Sequence, residues 1–175
     1  ATVNNEKMPQ RVVISGASSG IGLALARHYL ERGAIVAAFA RRGELLQPLS
    51  AEFSDRVFCY VLDVRDAPAV QNAANDFITR AGGPDVVIAN AGVSVGTLTE
   101  YAEDIDAFQQ VLDINVLGMV KTFQPFVAAM RETGQGSLVG IASVAGFRGL
   151  PGASAYSASK AAAISYLESL RVELH

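Results

Sequence analysis

The 175-residue chain sets 14 Lys and Arg against 17 Asp and Glu, a net charge of −3, and half of its residues are hydrophobic. This fits one compact domain with a sizeable core, and with Arg41-Arg42 as the longest basic run it offers no nucleic-acid surface. No apolar run approaches the roughly 20 residues that span a bilayer, and Cys59, the single cysteine, permits no internal disulfide and makes a cytoplasmic setting the default.

Residues 1–10 lack the apolar centre of a signal peptide and read as a disordered tail, leaving 11–175 as the domain. Arg11 to Ser15 is a β-branched run stopped by Gly16, and Ile21 to Arg32 has helical spacing closed by Gly33. Ala34 to Ala40 predicts a second strand, Glu44 to Phe53 a helix, and Val57 to Leu62 a third strand with Cys59 as a buried apolar residue. Ala67 to Ala81 puts Val70, Ala73, Ala74, Phe77 and Ile78 on one helical stripe, and Asp85 to Ala89 is a fourth strand. After a polar connection, Ile105 to Arg131 reads as a long helix, apolar nearly all round, with a kink or a new turn expected at Pro125. Leu138 to Ala142 reads as a short buried strand ending at Ser143, and a last helix with small residues at Ala161, Ala162, Ala163, Ser165 and Ser169 follows. Apolar strands separated by helices predict a parallel sheet covered on both faces. The apolar surplus of the long helix, with the small residues of the last one, predicts a homodimer or homotetramer.

Three stretches carry chemistry. The first, Ser15-Gly16-Ala17-Ser18-Ser19-Gly20-Ile21-Gly22, joins a strand to a helix, where glycines permit a sharp turn and close approach of a pyrophosphate to the helix amino terminus. About 20 residues further on, an NAD-preferring protein would place an acidic residue on the ribose. Here stand Arg41 and Arg42, whose guanidinium groups can pair with a 2′-phosphate, so NADP(H) is the preferred cofactor and NAD(H) the second choice. Asp63, closing the third strand, could accept from the adenine amino group or simply cap a turn, and Asn90-Ala91-Gly92 forms a small-residue turn open to the cofactor.

The second stretch is Tyr156-Ser-Ala-Ser-Lys160, which places a phenol and an ammonium one turn apart on a helix face. A free tyrosine has a pKa of about 10. A cation within a few ångströms favours the phenolate, which suits general acid–base work. Ser143, beyond a strand's carboxyl end, stands where open α/β sheets bind ligands. Third, Asn115 lies within the most apolar helix, where a buried amide must find partners. His28 and His175 fall at no motif position.

Together, Ser15 to Gly22, Asp63-Val64, Asn90-Ala91-Gly92, Asn115, Ser143 and Tyr156 to Lys160 resemble the short-chain dehydrogenases/reductases in their compact single-domain branch, over Arg11 to His175. Ser15 in place of the usual Thr keeps a hydroxyl, and Ala89 replaces the first Asn of a common Asn-Asn-Ala-Gly. The resemblance implies a Rossmann-type doubly wound sheet of strand order 3-2-1-4-5, with two final strands beyond the residues given. It implies that Tyr156 is the general acid/base and Lys160 its pKa-lowering partner and ribose ligand. Ser143 would bond the substrate oxygen, and Asn115 would hold a relay water. Gly16, Ser18, Ser19, Gly20, Ile21, Gly22, Arg41, Arg42, Asp63, Val64, Asn90, Ala91 and Gly92, together with Tyr156 and Lys160, would bind the cofactor, and no metal is needed. The substrate would be a small carbonyl or alcohol. A silent nucleotide-binding scaffold would lack Tyr156 or Lys160, and a sugar-nucleotide epimerase would space its glycines differently.

Overall fold

The computed structural model describes residues 7–175. Of the expected tail, residues 1–6 lie outside the described residues. Residues 7–10 are exposed and lack regular structure, yet the Gln10 carbonyl accepts from Ile35 N at 2.8 Å, so the last of them already joins the sheet.

Five parallel strands form one sheet in the order β3-β2-β1-β4-β5: β1 Arg11–Ser15, β2 Ile35–Ala40, β3 Val57–Val61, β4 Val86–Ala89 and β5 Ser137–Gly140. Register runs Val13 to Ala37 on one side of β1 and Val13 to Val87 on the other. The connecting helices are α1 Gly20–Glu31, α2 Gln47–Glu52, α3 Ala67–Ala81, α4 Asp104–Leu112, α5 Gly118–Thr133 and α6 Ser154–Glu173. The expected doubly wound sheet and its strand order are what is found.

Two cores lie against the two faces of the sheet, because successive residues of a strand point to opposite faces. Val13, Ala37, Phe39 and Val87 pack with Val70 and Phe77 of α3 and with Phe123 and Phe126 of α5. Val12, Ile14, Val36, Ala38 and Ile88 pack with Ala26 and Leu30 of α1 and with Leu49 of α2. Full burial of each large side chain contributes about 1.5–3 kcal/mol.

The edges depart from the sequence reading. After the buried Val57, β3 alternates between half-buried and exposed residues, and Cys59 is exposed on it rather than buried. Among the described residues its outer flank has no neighbour, and the predicted 44–53 helix is only a 3₁₀ turn at Gly43–Leu45 followed by the short α2. β5 is likewise half-exposed, paired to β4 alone, and stops at Gly140, two residues short of the predicted strand. A hydrophobic run looks the same in a central strand and an edge strand, and only the strand order separates them.

The long helix is also resolved differently. It runs continuously through α4 and α5 but carries a π-helical turn at Asp113–Leu117 between them, while Pro125 sits inside α5. Its inward face supplies Val111, Ile114, Met119 and Phe126 to the core, and Gln109, Gln110 and Gln124 are exposed, so it is not apolar all round. Among the described residues no helix is long and apolar enough to cross a membrane.

Candidate active site

Two parallel neighbours, β1 and β4, end side by side, and their following loops are knitted together. Ser15 Oγ accepts from the N–H groups of Asn90 and Ala91, both at 3.0 Å, and Asn90 Nδ2 donates to the Gly16 carbonyl at 3.1 Å. The hydroxyl at position 15 is therefore a structural staple between the two loops. Gly16 and Gly20 take φ of 66° and 53°, the left-handed region that favours glycine. Ser19 enters α1 in extended conformation without a side-chain cap, which leaves the orphan N–H groups of that first turn for an anion.

A cleft of about 390 Å³ opens above these loops. Gly16, Ser18, Ser19, Ile21, Arg41, Arg42, Val64, Asn90, Ala91 and Gly92 line it. Phe39, Ala40, Leu62, Val93 and Ile114 line it too, and the sequence reading missed them. Phe39, Ala40 and Leu62 stand at the carboxyl ends of β2 and β3, a signal legible once the strand order is known. Gly20, Gly22 and Asp63 are outside the lining. The lining has no carboxylate, and Arg41 and Arg42 have no ion-pair partner among the described residues. A nicotinamide dinucleotide fits such a cleft: glycines where the backbone must come close and an uncapped helix start that can face a pyrophosphate.

Asp63 is occupied. Its Oδ1 accepts from Arg65 N at 2.9 Å and Arg65 Nε at 3.1 Å, and its Oδ2 from Arg65 Nη2 at 2.7 Å. Hydrogen bonding from the Arg65 side chain holds the Asp63 carboxyl below the usual carboxylate range. Of the two sequence readings of Asp63, the Arg65 N–H bond is the turn-capping one.

The second half of the site is carried by α6. Lys160 is buried, with 7% of its surface exposed, and its Nζ donates to the Ile141 carbonyl at 3.0 Å while lying 5.6 Å from the Tyr156 ring centroid. Desolvation pushes the Lys160 ammonium pKa down. The Ile141 bond ties α6 to the segment carrying Ser143, which is not on a strand end but heads a 3₁₀ turn at Val144–Gly146. Ser143 Oγ accepts from Ala145 N at 3.1 Å and so keeps its O–H free to donate.

Asn115 is buried in the π-helical turn, a distortion that often marks functional segments. Its Oδ1 accepts from Val93 N and its Nδ2 donates to Val93 O, both at 2.8 Å, and Nδ2 also donates to Ser159 Oγ at 3.0 Å. Ser159 Oγ donates in turn to the Tyr156 carbonyl at 2.7 Å. The amide thus fastens the loop after β4 to the first turns of α6. Ser159 was not singled out from sequence, although it sits inside the Tyr-x-x-x-Lys segment. A Cβ placed on Gly92 would lie 3.3 Å from Asn115 Oδ1 and 3.8 Å from Lys160 Nζ, so this cleft-lining glycine marks where the two halves of the site meet. Among the described residues no cluster of His, Cys, Asp and Glu could hold a metal ion.

Residues 10–175 match the short chain dehydrogenase family. A 2-dehydro-3-deoxy-L-rhamnonate dehydrogenase (NAD(+)) of a Sphingomonas species is 39% identical over 162 residues, covering 93% of this chain and 65% of that one. The crystal structure of a short-chain dehydrogenase from Streptomyces avermitilis superposes with a TM-score of 0.90 at 35% identity, over 97% of this chain and 62% of that one. An alcohol dehydrogenase from Thermococcus sibiricus, solved with 5-hydroxy-NADP, gives 0.87 at 30% identity, over 94% of this chain and 71% of that one. The chain spans less than two thirds of the first two. By its family match, its fold and these relatives, the chain belongs to the short-chain dehydrogenases/reductases.

Proposed function

We propose that the protein is an NADP(H)-dependent oxidoreductase that interconverts a carbonyl and a secondary alcohol on a small molecule. The observation that carries this reading is the buried Lys160 ammonium, fixed by Ile141 O beside the Tyr156 ring and next to Gly92 of the dinucleotide cleft.

The reduced nicotinamide, when bound, supplies the hydride. Tyr156 delivers its phenolic proton to the substrate oxygen, and in the oxidative direction takes the proton back. Ser143 donates its free O–H to the same oxygen, orienting the carbonyl. Lys160 holds positive charge beside the phenol, which stabilises the phenolate left after proton transfer, and offers a donor to the nicotinamide ribose. Asn115 and Ser159 hold the backbone of this turn in place. The cofactor carries the redox step while these groups orient and move the proton. Titration with NADPH and NADH in parallel, followed by a panel of ketones with whichever binds, tests the reading. Turnover of a ketone is expected, and failure to bind either nucleotide overturns it.

For the cofactor, the carboxylate-free lining and the unpaired Arg41 and Arg42 favour the phosphorylated form. NAD(H) is the alternative, and the Sphingomonas relative carries NAD(+) in its name. Arg41→Ala is expected to weaken NADPH by about ten- to a hundred-fold, the effect of losing a charge-assisted pair, and NADH by less than about three-fold on the same scale. Fluorescence titration of the variant decides, and an equal loss for both would remove Arg41 from 2′-phosphate recognition.

The substrate we infer is partly apolar: Val144, Phe147 and Leu150 between Ser143 and Tyr156, and Leu98 in the loop after β4, are all exposed. The protein works as a homodimer or homotetramer. Ile105 and Leu117 stand 66% and 47% exposed on the long helix, and Ala161, Ala162, Ser165 and Ser169 are exposed on α6, offering close approach to a second copy. Light scattering of the intact protein at micromolar concentration is expected to give a dimer or larger, and a monomer would refute this. The open flank of β5 is where two further strands of the sheet would add. A reducing, cytoplasmic setting suits the single exposed thiol of Cys59.

A further inference from the structure

The helix that bears Tyr156 has no cap of its own. Its N-cap residue is Ala153, which has no side-chain acceptor, and the first four N–H groups of any helix need partners from outside it. One is supplied from 58 residues away. Thr97, in the loop after β4, is 96% buried by its 4% exposure, and its Oγ1 accepts from Ala155 N at 3.4 Å while sharing a hydrogen bond with Ser154 Oγ at 2.9 Å. Its backbone is fixed as well: Thr97 N donates to Gly152 O at 3.1 Å within an isolated parallel bridge to Ala153. Thr97 thus grips Gly152, Ala153, Ser154 and Ala155, the four residues that lead into Tyr156. The same loop is pinned on its other side, where Val93 is bonded twice by Asn115.

We propose that Thr97 is a positioning residue for Tyr156: it caps the catalytic helix in place of a local N-cap and locks the loop after β4 to that helix's first turn. A polar side chain is buried here at a cost of a few kcal/mol unless satisfied, and the groups that satisfy it are those adjoining the phenol-bearing residue. Loss of the hydroxyl leaves Ala155 N and Ser154 Oγ to find other partners, and the start of α6 then shifts with Tyr156 on it. Displacement of a reacting group by about 1 Å can cost on the order of a hundred-fold in rate, whereas the dinucleotide cleft is left intact, because the part of this loop that lines it, Asn90 to Val93, is held separately by Ser15 and Asn115.

The inference rests on Tyr156 as the proton donor, so the test runs Tyr156→Phe beside Thr97→Val and Thr97→Ser in the intact protein. Phenanthrenequinone, a flat apolar dicarbonyl, serves as substrate with NADPH, alongside the ketone panel. Thr97→Val keeps the side-chain shape and removes the hydroxyl. Its kcat is expected to fall about ten- to a hundred-fold, with the substrate KM and the NADPH Kd each within about two-fold of the parent, and Thr97→Ser is expected to restore kcat to within about three-fold by supplying the hydroxyl again. A general loosening of the fold would raise KM and Kd together, so the split between kcat and the binding constants marks positioning. Thr97→Val with unchanged kcat, or Thr97→Ser as impaired as Thr97→Val, overturns the proposal while leaving Tyr156 untouched. Should Thr97→Val not fold, Ser154→Ala, which removes the shared bond alone, is expected to lower kcat with Kd retained, and an unchanged kcat there overturns it. Turnover retained in Tyr156→Phe, or none by the parent protein with any carbonyl, overturns the underlying reading together with the inference.

Discussion

Tyr156→Phe is expected to lower carbonyl reduction by about 10²–10⁴-fold, the range that a positioned general acid contributes, while NADPH binds within about two-fold of the parent. The change removes one oxygen and keeps the ring, so the aromatic face 5.6 Å from Lys160 Nζ is preserved. The backbone of Tyr156 keeps its bond from Ser159, because that bond uses the carbonyl. Nothing in the arrangement lets another group take over at once. Ser143 Oγ is committed to Ala145 N as acceptor and can donate a hydrogen bond, but a free alkanol is far too weak an acid to release the proton. Lys160 Nζ is buried and already spends one donor on Ile141 O. Steady-state rates and a parallel nucleotide titration of the variant check this: full rate would remove Tyr156 from the chemistry, and lost binding would make its role that of a cofactor ligand.

What could be read from the residues alone divides along the same physical line. The strand–glycine–helix start was legible because its signals are local: a β-branched run, Gly16 as a stop, and helical spacing from Ile21. The Tyr156–Lys160 pair was legible because a helix fixes residues four apart on one face, and α6 is a helix over both. Cys59 went wrong because the burial of a strand residue depends on which strands flank it and how long the covering helix is, and α2 is only six residues. Asn115 was recognised as an amide needing partners, but Val93 and Ser159 are 22 and 44 residues away and no spacing rule reaches them. Asp63 has the side chain of Arg65, only two residues on, turned back onto it, a contact that no run or spacing in the sequence announces. Thr97 gave no signal at all: a threonine in a polar loop looks exposed until the loop is seen lying against the start of α6. The motif residues announce themselves, while the residues that hold them do not.

Gly22→Ala is expected to abolish NADPH binding, with a loss of more than about a hundred-fold, and to lower stability by about 1–3 kcal/mol or more, the cost of overpacking a filled site. Gly22 is buried in the first turn of α1, and an added Cβ would collide with the Gly16 carbonyl and lie 2.5 Å from Asn90 Nδ2. Neither neighbour can yield cheaply. Gly16 is backbone in the left-handed region, and Asn90 Nδ2 is the donor that ties the loop after β4 to that carbonyl. Relief of the clash must therefore move the glycine loop away from Asn90, and the cleft wall moves with both. Gly33→Ala separates this from a mere loss of stability: Gly33 has φ of 85° but nothing within 4 Å of its added Cβ, and it lies at the far end of α1 from the cleft. That variant should bear the left-handed strain, about 1–2 kcal/mol, and still bind NADPH as the parent does. Thermal melts with and without nucleotide compare the two, since a ligand that binds only the folded state raises Tm, and more so the tighter it binds. An NADPH-induced rise in Gly33→Ala but not in Gly22→Ala is the expected pattern. An equal rise in both would mean that the close packing of Gly22 on Gly16 serves the helix and not the cofactor.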